Sequence, residues 1–240
     1  MIPARKGRLF RAWFAGHART RLHDAFAAVR ASGLDGARAA LAAGPVQIVS
    51  NHTSWWDPLV VLYLTEHVLR CDGHAMMDAA NLRRLPFFAR VGAFGVDRTS
   101  AADGAAAIRY AARLLDAPGR MVWVFAQGRE RPVTERPLAF EGGSAVVAKV
   151  AGCVTVPVAL RYEHRGEERP ELLLAFGAPL PAPRTSGDGR RAQEASVLAC
   201  LDTIDAALCD GSVDGWELLA RTTRGRFDAW AERALAVLAG

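Results

Sequence analysis

The densest run of chemically capable residues is Ser50-Asn51-His52-Thr53-Ser54-Trp55-Trp56-Asp57-Pro58. A neutral imidazole accepts a proton readily near pH 7, and a carboxylate at its other nitrogen fixes the tautomer and stabilises the imidazolium that forms. His52 and Asp57 can meet if the residues between them turn back. Together they would make a general base and its orienting partner, with a substrate hydroxyl as the attacking group and no protein nucleophile required. The same letters have a plainer reading. Asp57 before Pro58 is an N-cap signature with proline at the first helical position, and Trp55 and Trp56 are residues that commonly fill a core. The two readings are compatible, since one carboxylate can cap a helix and hold an imidazole.

Such a pair needs a scaffold, and the surrounding pattern supplies one. From Pro45 onward, β-type runs rich in Val, Ile and aromatics occupy 46–50, 74–77, 93–97, 121–125, 154–162 and 171–176. Helical spacing fills 58–70, 81–91, 101–115 and 141–150 between them. This alternation predicts an α/β class: a layered α/β/α domain with a largely parallel mixed sheet, preceded by an N-terminal amphipathic helical arm. Residues 179–190 read as a loop, followed by closing helices over 191–209 and 216–238. The expected division is an arm over 1–44 and the main domain over 45–240.

The arm carries the charge asymmetry. The chain has 30 basic and 25 acidic side chains, and the first 44 residues hold eight of the basic against two of the acidic. Leu9, Phe10, Trp13 and Phe14 cluster on one helical face, and the apolar stripe then rotates to Leu22, Ala25, Phe26 and Val29, which predicts two short helices broken at Gly16. Arginine on one face and large aromatics on the other suit either a helix lying in a lipid interface or one packed on the body of the protein. The body has no basic stripe with interleaved aromatics, so nucleic acid is not an expected partner. No run reaches the roughly 18 apolar residues of a spanning helix, and the N-terminus lacks the pattern of a signal peptide. Four cysteines and the scattered histidines show no metal spacing, so neither a metal nor a disulfide is expected and the setting reads as cytoplasmic.

The segment from Asn51 to Pro58 resembles the first motif of the glycerol-phosphate and lysophosphatidic acid acyltransferase family, the PlsC-like proteins. Three further segments follow in that family's order. Gly92-Ala93-Phe94-Gly95-Val96-Asp97-Arg98 resembles the second motif. Phe125-Ala126-Gln127-Gly128-Arg129-Glu130 stands where the third reads Phe-Pro-Glu-Gly-Thr-Arg, and Val156-Pro157-Val158-Ala159-Leu160 resembles the fourth. The resemblance implies that His52 is the base, Asp57 its partner, and that Arg98, Gln127, Gly128 and Arg129 bind substrate. It also implies an acyl-CoA or acyl carrier protein donor, a lysophospholipid or related lipid acceptor, no cofactor, and peripheral attachment through residues 1–30 to the cytoplasmic face of the membrane. The third motif departs from the pattern: its Pro-Glu is Ala126-Gln127, and Glu130 replaces the arginine. That loss of a carboxylate leaves room for another hydroxyl acceptor, such as a glycolipid, a carotenoid glycoside or an amino-acid lipid. It also leaves room for a catalytically silent lipid-binding protein of the same fold.

Overall fold

A computed structural model describes residues 1–222. The elements in chain order are α1 (Arg8–Ala25), β1 (Ala28–Ser32), α2 (Leu34–Ala43), β2 (Val46–Ser50), α3 (Asp57–Tyr63), β3 (Asp72–Asp78), α4 (Ala79–Arg84), β4 (Ala93–Val96), α5 (Ala101–Leu114), β5 (Arg120–Phe125), α6 (Gly143–Ala151), β6 (Val154–Glu163), β7 (Glu171–Phe176), α7 (Ser186–Asp210) and β8 (Glu217–Arg221). The strands form one sheet in the order β4-β3-β5-β2-β6-β7-β1-β8. The β3–β4, β3–β5, β2–β5, β2–β6 and β1–β7 pairs are parallel, while β6–β7 and β1–β8 are antiparallel.

Strand periodicity divides the core into two layers. Ile48, Trp123, Val158, Leu160, Leu172 and Leu174 face α1, α2 and α3. Their neighbours Val49, Ala159, Leu173 and Ala175 face α7, and Val122 and Val124 face α5 and α6. Both faces are covered, so the strands read as nearly continuous apolar runs rather than as alternation.

Four expectations change. α1 is a single helix through Gly16, because Phe14, Ala15, Ala18 and Leu22 bury one continuous stripe. Burial of a large side chain such as Phe14 contributes about 1.5–3 kcal/mol, more than the roughly 1 kcal/mol that a mid-helix glycine costs. The arm also contains β1, which lies inside the sheet between β7 and β8. The expected loop over 179–190 ends early: Thr185 Oγ1 accepts the Asp188 N–H at 3.1 Å and starts α7 at Ser186. The helix expected over 216–238 is instead β8 where it is described, and its remainder lies outside the described residues. The helical pattern after Pro58 is kept, but α3 continues as a π-turn over Leu64–Val68, where Thr65 Oγ1 donates back to Val61 O at 2.7 Å.

Candidate active site

The site sits at the C-terminal ends of the central parallel strands, the usual position for function in an open α/β sheet. β2 ends at Ser50, whose hydroxyl accepts the Trp123 indole N–H at 2.8 Å. Asn51 then extends the ladder with its side chain: Nδ2 donates to Leu160 O and Oδ1 accepts Leu160 N–H, both at 2.8 Å. This two-way amide contact ties the chain leaving β2 to β6. The next residue, His52, is held by its backbone at both ends. Its N–H donates to Gln127 Oε1 at 2.8 Å, and its carbonyl accepts Arg131 N–H at 2.8 Å.

The turn closes as the sequence suggested. His52 Nδ1 lies 2.6 Å from Asp57 Oδ2, and the imidazole stacks on Phe125 with centroids 4.4 Å apart. Asp57 is fully buried and heavily bonded. Oδ2 also accepts the N–H groups of Thr53 at 2.9 Å and Ser54 at 3.1 Å, while Oδ1 accepts the Tyr162 hydroxyl at 2.5 Å. Asp57 therefore organises the turn before α3 and is not its N-cap; that place belongs to Trp56. A carboxylate can only accept, so Nδ1 carries a proton, and in the neutral ring the lone pair is on Nε2. Burial, and after it the Asp57 charge, hold the Tyr162 hydroxyl well above its ordinary range, so it remains a donor.

His52 lines a cavity of about 980 Å³. One part of its wall is apolar, built from Phe14 of α1, Leu59 and Leu62 of α3, and Phe87, Phe88 and Val91 of the 3-10 turn after α4. Another part carries charge: Asp78, Asp97, Arg98, Arg129, Glu130 and Glu141. The cavity thus combines apolar and charged wall with an imidazole among its lining residues.

Among the other predicted site residues, Arg98, Gly128 and Arg129 line this cavity, and Gln127 does not. Arg98 Nη1 donates to Gly128 O at 2.6 Å, and Nη2 contacts Glu141 Oε1. Gly128 has φ +66°, and a Cβ there would stand 2.7 Å from Glu141 Oε1 and 2.8 Å from Arg98 Cζ. Arg129 is exposed. Gln127 is buried, with its carbonyl on His52 N and its amide donating to Leu138 O at 3.1 Å, so it braces the turn instead of facing a substrate. The sequence reading missed Tyr162 and Glu141. Neither belongs to a recognised motif, and each reaches the site only through the pairing of distant segments.

Comparison with known proteins gives the family and the fold. The family described as Acyltransferase matches residues 29–161. The fold is similar to the crystal structure of the 1-acyl-sn-glycerophosphate (LPA) acyltransferase PlsC from Thermotoga maritima, with a TM-score of 0.58, 17% identity and coverage of 82% of each chain. No curated protein sequence matches the chain.

Proposed function

From the premise that the chain belongs to the Acyltransferase family, we propose that it moves a fatty acyl group from acyl-CoA or acyl carrier protein to a hydroxyl of a lysophospholipid or related lipid, with His52 as general base. The observation that carries this reading is the 2.6 Å His52–Asp57 pair on the wall of a large, partly apolar cavity. Nε2 takes the proton of the acceptor hydroxyl as its oxygen attacks the thioester carbonyl carbon. The carbon–sulfur bond then breaks, the thiolate leaves with the proton from the imidazolium, and an ester remains. Asp57 orients the ring and stabilises its positive charge during the step. The apolar wall accommodates the acyl chain, and Arg98 and Arg129 stand where anionic oxygens of donor or acceptor would lie.

The acceptor class has a second reading, favoured by one contact. Arg98 is already paired with Glu141, which is the condition expected if the acceptor is a hydroxyl without a phosphomonoester, such as a glycolipid, a carotenoid glycoside or an amino-acid lipid.

The protein acts at a membrane surface as a peripheral enzyme, on the cytoplasmic face. In α1, Phe10 and Phe14 turn inward while Leu9 and Trp13 are 86% and 64% exposed, and Trp55 beside His52 is 62% exposed. Exposed Trp and Leu flanked by Arg8, Arg19 and Arg21 suit an interfacial helix. No helix among the described residues is long and apolar enough to cross a bilayer. The four cysteines are unpaired, which fits a reducing compartment.

The test is thiol release from acyl-CoA and acyl-carrier-protein donors, with and without lysophosphatidic acid, against His52→Ala. Release that requires His52 and that acceptor supports the first reading. Release that requires His52 but only crude membrane lipid moves the acceptor to the second. Undiminished release by His52→Ala overturns the mechanism.

A further inference from the structure

We propose that Tyr162 is a positioning residue of the reaction, a third member of the relay that orients Asp57 and sets how strongly Asp57 supports the charge on His52. The inference rests on the reading of His52 as base. Tyr162 comes from β6, more than a hundred residues from the His52 turn, and meets it across the sheet. Its hydroxyl donates to Asp57 Oδ1 at 2.5 Å, opposite the oxygen that holds His52 Nδ1 at 2.6 Å. The carboxylate is thus gripped on both oxygens. Without Tyr162, Oδ1 of a fully buried aspartate would have no partner among the groups that now bond it.

Two consequences follow from simple electrostatics. First, the Tyr162 bond on Oδ1 joins the Thr53 and Ser54 N–H groups on Oδ2 in holding the carboxylate against rotation about Cβ–Cγ, which keeps the imidazole plane fixed. Second, a donor at 2.5 Å draws negative charge toward Oδ1 and away from Oδ2. A weaker carboxylate stabilises imidazolium less, so the proton is returned to the leaving thiolate more easily. Of the charged groups nearby, Glu130, from the loop after β5, acts on Tyr162, and the guanidinium of Arg21 of α1 stands 5.5 Å from the centre of the Trp56 ring. Both are exposed, so solvent screens them and Tyr162 is the strongest of these influences on Asp57.

The tyrosine ring is anchored independently of the hydroxyl, packing on Phe26 with centroids 5.5 Å apart. Phenylalanine therefore preserves the packing and removes the hydroxyl, with its donation to Asp57 and its contact with Ser54. The experiment compares the wild-type chain, Tyr162→Phe and a chain with 3,5-difluorotyrosine at position 162, which is a stronger donor. The readouts are the pH dependence of thiol release and the separate kcat and KM values for the thioester. Tyr162→Phe is expected to lower kcat by about ten-fold with KM changed less than two-fold, and to move the acidic limb of the rate upward by about half a pH unit or more. Difluorotyrosine is expected to move the same limb downward. Limbs that stay in place in both variants, whatever happens to thermal stability, overturn the proposal, because a purely structural role cannot produce opposite shifts. If Tyr162→Phe does not fold, the difluorotyrosine shift alone decides. His52→Ala in the same assay separates the two failures: full activity there removes the base itself, whereas loss of activity with unmoved limbs removes only the role of Tyr162.

Discussion

The side-chain amide of Gln127 bridges the backbone of two loops, accepting His52 N–H at 2.8 Å and donating to Leu138 O at 3.1 Å. A glutamate of the same length could still accept from His52 but could not donate to Leu138. The third-motif departure is therefore a bracing contact in which both ends of an amide are used.

Gln127→Glu is expected to destabilise the fold by about 1–3 kcal/mol at neutral pH, since it buries a charge and leaves a carbonyl without its donor. Urea denaturation measures it, and part of the loss should be recovered in acid, where the carboxyl is protonated and can donate. A variant as stable as wild type at pH 7 would refute the bracing role.

Arg98, Gly128 and Glu141 form one packed unit, so they should respond together. Gly128→Ala forces an L side chain into φ +66° and against Glu141 and Arg98; a fall in activity of ten-fold or more is expected. Glu141→Gln removes the charge that neutralises Arg98 at little cost to stability, about 1 kcal/mol or less for a half-exposed pair. It should lower KM for a phosphate-bearing acceptor several-fold and leave a neutral acceptor unaffected. Equal effects on both acceptors would remove Arg98 from acceptor recognition.

His74 links stability to pH. Burial first, and the Lys6 ammonium second, push it down from 6.5 to about 4. Between those values the unfolded chain binds the proton and the folded chain does not, so stability rises with pH and is lost as pH falls from about 6.5 toward 4. The full shift corresponds to roughly 3 kcal/mol. Denaturation midpoints of wild type and His74→Leu across this range should diverge in slope. Parallel curves would mean that His74 binds its proton equally well in the folded and unfolded chain.

Membrane attachment should depend on the outward face of α1. Leu9→Gln with Trp13→Gln removes two exposed apolar side chains and leaves the buried Phe14, Ala18 and Leu22 unchanged, at the cost of the ring contact between Trp13 and Phe14. Vesicle sedimentation should show binding weakened by about ten-fold or more, while thermal stability is little changed. Undiminished binding would place the contact elsewhere.

The six expected strands and the layered, largely parallel class were legible because buried strands need apolar, β-branched runs and the helices between them need their own period. β1 and β8 were not. Residues 217–221 read Glu-Leu-Leu-Ala-Arg, all good helix formers, and become a strand because β1 offers an unpaired edge. Likewise, the face of α1 that turns inward was ambiguous: Leu9, Phe10, Trp13 and Phe14 look alike in sequence, and only contact with Phe87 and Phe88 selects Phe14.

At the site, sequence alone determined what is local in the chain. His52 and Asp57 lie in one short turn, and the backbone needs only to reverse for them to meet. Tertiary structure alone decided what crosses the sheet. Tyr162 reaches Asp57, Gln127 turns to brace His52, and Glu141 claims Arg98, because strands and loops distant in sequence are brought side by side. No residue's neighbours along the chain encode such contacts; they exist only once β2, β5 and β6 are paired in register.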